Sequence, residues 1–434
     1  MSRRRNVVRD SRPQERPRHA RSTRGFVLFC CAAAAVCVVL KCPSLLYPRT
    51  EGDERIYWQL ANSLAQNGDY SLRGSAVLKE LSPYMYDRPL FHHPPLFPAL
   101  LSLFAMAGIE NAAVLVSWLG HVLVVIAVAI IGRHVLEHSS HGATEVAPYR
   151  SITAPAFWLP VLGVAADPLL MFVSRRIWID SLLSGLVALC VAVLVVAEGR
   201  RPPSPVGLQR ASRRTLLAVA GGLLGLAGLA KLTALILLPV LLIFGVRDEE
   251  TWKQRAAAAA TIVLPVALFV VPWLIVFYQR NGVFIPSWVK PDSALLQLYP
   301  FVRMAVERPW YYYGAKLILI MPLAFVGVWA LLRETGAWSN RTIQIAASWF
   351  LVVLVTLTYL GIDGYGFQMR HIAPAVAAVY AVVLVLVIEG ERPVFLMVCG
   401  FAMLVGAATG AMHLLAPQFD EIVSLARVAG LLDY

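Results

Sequence analysis

Twelve apolar segments follow one another along this chain of 434 residues, and that succession limits what it can fold into more than any other feature. They fall at about 26–42, 94–107, 112–132, 152–173, 181–197, 215–230, 233–246, 256–279, 313–332, 342–361, 372–388 and 394–416. An apolar run approaching 20 residues is the length a helix needs to cross the hydrocarbon of a bilayer. In lipid the backbone must satisfy its own hydrogen bonds, which a helix does within one segment. Composition agrees: 58% of residues are apolar, only 15% are charged, and the mean hydropathy is +0.66. An all-α polytopic membrane bundle is expected, in place of the two or three soluble domains a chain of this length would otherwise make. Several segments are short, and Pro160, Pro168, Gly228, Pro239, Pro265, Pro272 and Pro322 interrupt others. Broken helices are tolerated where protein or a water-filled cavity surrounds them, so kinked helices around a cavity are predicted.

The net charge of +12 does not point to nucleic acid, because most of it is local. Residues 1–24 hold nine arginines against Asp10 and Glu15. A basic arm before an apolar run is the positive-inside pattern and places this end in the cytoplasm, on anionic headgroups. Residues 25–40 lack a following small-x-small cleavage site and read as an uncleaved first helix. Cys30, Cys31, Cys37, Cys42, Cys190 and Cys399 lie in or at the ends of apolar segments without metal-ligand spacing, as small buried hydrophobes.

Loop charge sets the expected orientation. Loops 198–214, 247–255 and 333–341 are arginine- and lysine-bearing and read as cytoplasmic. Loops 43–93 and 280–312, the 362–371 turn and the 417–434 tail then face outward. Residues 25–416 form one transmembrane module between the basic arm and that tail. Twelve crossings would return the tail to the cytoplasm, so eleven reconcile the charges, with one segment before Asp180 not crossing. The stretch 94–107 is the shortest candidate. No internal repeat is evident, against an inverted-repeat transporter.

The first external loop is longer than a connector requires. Ile56, Tyr57, Leu60, Ala61 and Leu64 recur at helical spacing until Asn67-Gly68, predicting an amphipathic helix along the outer membrane surface. Asp53 sits at its start, either as an N-cap or as a carboxylate able to act as a base, and the two are compatible. His92-His93-Pro94-Pro95 stands at the mouth of the next apolar segment, where imidazoles can meet an anion, a metal or a hydroxyl, or simply occupy an interface. Asp180 opens an apolar helix, and its distance along the chain from the arginine-rich 198–214 loop is about one membrane thickness, ~26 Å at 1.5 Å per residue. Lys231, between two short apolar segments, is a similar distance from that loop. A lysine there is expensive unless it meets an anion, the alternative being a side chain that snorkels from a helix end. Arg370-His371 adds a further outward cation. These groups are expected to gather at one external site.

The order of motifs resembles the GT-C glycosyltransferases, the superfamily of the protein O-mannosyltransferases and lipid A aminoarabinose transferases. Gly52-Asp53-Glu54-x-x-Tyr57 with Ala61 and Gly68-Asp69-Tyr70 resembles the family's first-loop Asp-Glu signature, and Pro94-Pro95 its Lys-Pro-Pro. Asp180 matches its second aspartate, Ala230-Lys231-Leu232-Thr233 its Thr-Lys turn, Pro272-Trp273 its Pro-Trp, and Arg370-His371-Ile372-Ala373-Pro374 its late Arg-Tyr-x-x-Pro. The resemblance runs in order from about residue 26 to 388. Two features depart from it: His93 stands where lysine is usual, and an 18-residue tail replaces the soluble C-terminal domain of several relatives.

The resemblance implies a GT-C bundle of about 11–12 transmembrane helices in the plasma (inner) membrane of a cell envelope. Its activity would be transfer of a sugar from a polyprenyl-phosphate carrier to a glycan, lipid or protein acceptor at the external face, by inverting single displacement. Asp53 would be the base, with Glu54 and Asp180 orienting the acceptor, the amphipathic helix or the cations. Tyr57, His92, His93, Lys231, Arg370 and His371 would line the substrate site. No cofactor is required; the spacing leaves room for a divalent metal near Asp53, Glu54 and the histidines without demanding one. A flippase of lipid-linked sugars would spread its charges along a path through the membrane, and an envelope-glycan polymerase or ligase would carry its long loop late in the chain. Neither matches the pattern as well. A purely structural scaffold leaves the intramembrane lysine unexplained.

Overall fold

A computed structural model describes residues 16–46, 52–72, 90, 93–139, 155–199, 207–282, 309–362, 368–390 and 393–415. Among these residues every regular element is helical. The first α-helices are α1 (Arg16–Val39), α2 (Gly52–Asn67), α3 (Leu96–Ala107), α4 (Leu115–Ser139) and α5 (Pro155–Ala165). They are followed by α6 (Pro168–Ser174), α7 (Ile179–Gly199), α8 (Gly207–Ala230), α9 (Leu238–Val246) and α10 (Trp252–Asn281). The last are α11 (Tyr312–Ile320), α12 (Pro322–Arg333), α13 (Arg341–Leu360), α14 (Val376–Gly390) and α15 (Pro393–Leu415). Short 3-10 turns at Leu232–Leu237 and Met369–Ala375 lead into α9 and α14.

Eight helical stretches are long and apolar enough to cross a membrane, and four shorter apolar helices accompany them. Together they account for the segments seen in the sequence, and the chain is a multi-pass membrane protein. The shorter helices include α3, whose 12 residues rise about 18 Å, well short of a bilayer's hydrocarbon. It packs instead along α2.

The expected breaks take definite forms. Pro160 lies inside α5, Pro265 and Pro272 inside α10, and Pro168 starts α6. A proline in a helix removes a backbone donor and bends the chain, while at a first turn it costs nothing. Between α5 and α6 the buried Asp167 side chain accepts from the backbone N–H groups of Leu169 and Leu170, so the interrupted helix is recapped inside the bundle.

The layering is uneven. The span at Met369–Glu389 is 100% buried within the protein, whereas the Arg24–Leu46 span is only 17% buried and presents most of its surface outward. Helix α7 lies between α4 and α8, with α8 against α10. At the start of α7 the approach is backbone to backbone: a Cβ on Gly120 of α4 would collide with the Ser181 main chain. Ser117 and Ser181 bond across the same contact, Ser181 Oγ to the Ser117 carbonyl and Ser117 Oγ to that of Trp178, at 3.1 Å for the latter. Close packing of small residues is a usual way to join helices in lipid. Here it fixes the N-terminal end of α7, which carries Asp180.

Candidate active site

Four elements converge on one cluster. Helix α2 begins at Gly52 and ends at Asn67, just before Gly68, whose φ of 66° suits glycine, so the predicted amphipathic helix starts a turn earlier than its apolar repeat shows. Asp53 and Glu54 lie in its first turn, where the helix dipole favours acids. Asp180 occupies the first turn of α7. Lys231 stands in extended conformation where α8 gives way to the 3-10 turn, and Arg370 lies in the turn that precedes α14.

Asp53, Asp180, Lys231 and Arg370 meet. Lys231 Nζ donates to Asp180 Oδ1 at 2.9 Å, and Arg370 Nε approaches Asp180 Oδ2 at 3.8 Å. Arg370 Nη1 pairs with Asp53 Oδ2 at 2.5 Å. The guanidinium is steadied by Gln368, whose side-chain oxygen accepts from Nε at 2.7 Å, and by the Trp178 ring, 5.0 Å from its carbon centre. Asp180 is all but sealed, with 2% of its side chain exposed, while Asp53 retains 39%. Lys231 thus meets the anion that its position demands, and it does not snorkel away from the bundle.

Glu54 turns the other way. Its fully buried carboxylate accepts from Arg176 Nη1 at 3.0 Å and from the Ile177 backbone N–H at 2.9 Å. This ties the head of α2 to the segment just before α7, holding Asp53 and Asp180 in register. Arg176 and Trp178 join the cluster through Glu54 and Arg370 without having been singled out by spacing; the consecutive arginines at 175–176 beside an apolar helix were the available signal.

The aromatic and histidine side of the site is ordered by Tyr57, whose hydroxyl lies 2.8 Å from His93 Nδ1. Burial, with the charges of Asp53 and Asp180 adding to it, raises the Tyr57 phenol well above its ordinary range, so it remains a hydroxyl. Tyr70 donates to the carbonyls of His93 and Pro94 and packs edge-on against Trp273, locking the Pro-Pro turn and linking it to α10. His92 lies outside the described residues. His371 is buried and, with Lys231, faces a cavity whose wall is otherwise mostly apolar, including Leu183, Val187, Leu237, Val353 and Leu357. Among the described residues no group of three or more His, Cys, Asp or Glu side chains is placed to hold a metal ion.

This is a polytopic helical bundle, with acids and cations paired at one end of its central helices. Similar solved structures include the ArnT of Cupriavidus metallidurans bound to undecaprenyl phosphate, with a TM-score of 0.57 and 19% identity over 94% of this chain and 64% of that one. The oligosaccharyltransferase of Archaeoglobus fulgidus in its apo form aligns with a TM-score of 0.55 and 14% identity over 94% of this chain and 60% of its own. That organism's oligosaccharyltransferase AglB, in complex with an inhibitory peptide and a dolichol-phosphate, gives 0.51 and 14%, with the same coverage. At these identities the likeness is one of fold, and this chain spans less than two thirds of each of those proteins. No protein-family model and no curated protein sequence matches the chain.

Proposed function

We propose that the chain is a membrane glycosyltransferase that moves a sugar from a polyprenyl-phosphate carrier to an acceptor hydroxyl, by inverting single displacement at the external face of the plasma membrane. The observation that carries this reading is the placement of Lys231: its ammonium sits on Asp180, and the residue lines a small, largely apolar pocket within a bundle shaped like polyprenyl-phosphate-handling proteins. A lipid phosphate suits the cations.

The chemistry then follows from the residues. The acceptor oxygen attacks the anomeric carbon, and the bond from that carbon to the phosphate oxygen breaks with its electron pair leaving on the phosphate. Lys231 and Arg370 stand where that charge develops. Asp53, the most exposed acid of the cluster, takes the acceptor's proton. Asp180 holds both cations in place, and Tyr57 with His93 offers hydroxyl and imidazole contacts to sugar or phosphate.

Two variants test the assignment. Asp53→Asn abolishes transfer while leaving membrane insertion and donor binding intact, and unchanged turnover removes Asp53 from the base role. Lys231→Ala weakens donor use in a titration, and unaltered donor kinetics remove the phosphate role from Lys231.

A further inference from the structure

The four charges at the site sum to zero: Asp53 and Asp180 against Lys231 and Arg370. A phosphodiester brings a third negative charge, and it competes with the carboxylates for the cations. The two carboxylates are not equally displaceable. Asp180, with 2% of its side chain exposed, has no water to return to, and stripping it of a cation leaves a buried charge uncompensated. Asp53, 39% exposed, regains solvent on release. Arg370 is also built to stay in place while it changes partner, because Gln368, Trp178 and Asp180 hold it independently of Asp53.

We infer that Arg370 sets the order of substrate binding: the donor phosphate takes the guanidinium from Asp53, and only then is Asp53 free to act on the acceptor. With Arg370 on Asp53, the Oδ2 lone pair points into the guanidinium, so an acceptor arriving first meets an occupied base. Donor arrival exchanges one anion for another on Arg370 and turns Asp53 toward the acceptor side. After transfer the departing lipid phosphate carries an additional negative charge and keeps Arg370, while Asp53 holds the acceptor's proton. Loss of that proton and of the lipid phosphate lets the Arg370–Asp53 pair re-form. The resting pair therefore guards against proton abstraction when there is no sugar to transfer.

The inference rests on the transferase reading, and one experiment separates the two. Full-length protein in detergent micelles is treated with a water-soluble carbodiimide and an amine, with and without saturating undecaprenyl phosphate, and carboxylate labelling is read by peptide mass spectrometry. Binding of radiolabelled undecaprenyl phosphate is measured on the same preparation. The expected result is a several-fold rise in labelling of Asp53 when the lipid phosphate is bound, with Glu54 and Asp180 unlabelled throughout. In Arg370→Gln, Asp53 labels strongly whether or not the lipid is added. Lipid phosphate that binds without raising Asp53 labelling overturns the ordered exchange and leaves the donor site standing. Lipid phosphate that does not bind removes the donor site and the inference with it.

Discussion

Helices α7 and α8 carry a buried ion cluster at each end, and the two clusters are built differently. At one end Asp180 and Lys231 join Asp53 and Arg370. At the other, about 27 Å along α7, Arg213 is clamped by Glu198 at 3.1 Å, Glu249 at 2.7 Å and the Gly245 carbonyl at 3.0 Å. Arg213 spends its donors on short, closed contacts from α7, from α9 and from the turn after it. That geometry pins helix ends and leaves little for a ligand to exchange with. The Asp180 end has cations and acids in equal number, one contact stretched to 3.8 Å, a partly exposed acid and a cavity beside its lysine. Burial of charge is common to both ends; exchangeability belongs to one.

Substitution should separate them. Arg213→Met leaves Glu198 buried without its cation and should cost about 3–5 kcal/mol of stability, read in a thermal melt in micelles. Turnover by the protein that stays folded should be unchanged. Restoring stability by changing Glu198 and Glu249 to apolar residues of similar volume as well would sharpen the contrast, since a structural cluster can be replaced as a unit. Asp180→Asn also strips a buried cation of its partner and should lower the melt, but it differs in chemistry: lipid-donor turnover by the protein that stays folded falls by about 100-fold or more, the scale of losing a group that organises transition-state charge. Equal turnover by the folded fractions of the two variants would break the comparison. The smallest effect on turnover is expected for Trp178→Leu, which removes the face beneath Arg370 and should weaken donor binding by about 1 kcal/mol, seen as a raised KM in the protein that stays folded.

The sequence made much of this legible, for identifiable reasons. Helical rise counted from the arginine-rich loop put Asp180 and Lys231 at one level, and they lie in contact. Apolar period outlined α2, though not its first turn, because Gly52, Asp53 and Glu54 carry no apolar signal. The Arg213 cluster was read only as loop charge, since nothing in spacing tells a cytoplasmic arginine that faces water from one clamped by two glutamates from neighbouring helices. The Glu54–Arg176 pair was hidden for the same reason: its partners are far apart in sequence, and pairing across such separations is a property of packing. Asp53 as cap or base could not be resolved from position, because only the fold shows that its carboxylate engages Arg370.

The central claim is that this end of the bundle handles a lipid-linked sugar chemically and does not merely carry it across. Purified full-length protein incubated with a panel of radiolabelled polyprenyl-phosphate sugars and cell-envelope acceptor fractions, scored for free polyprenyl phosphate, tests it directly. Release from at least one donor is expected, dependent on acceptor and absent in Asp53→Asn. Release from none, with labelled lipid instead crossing the bilayer of reconstituted vesicles, would contradict it.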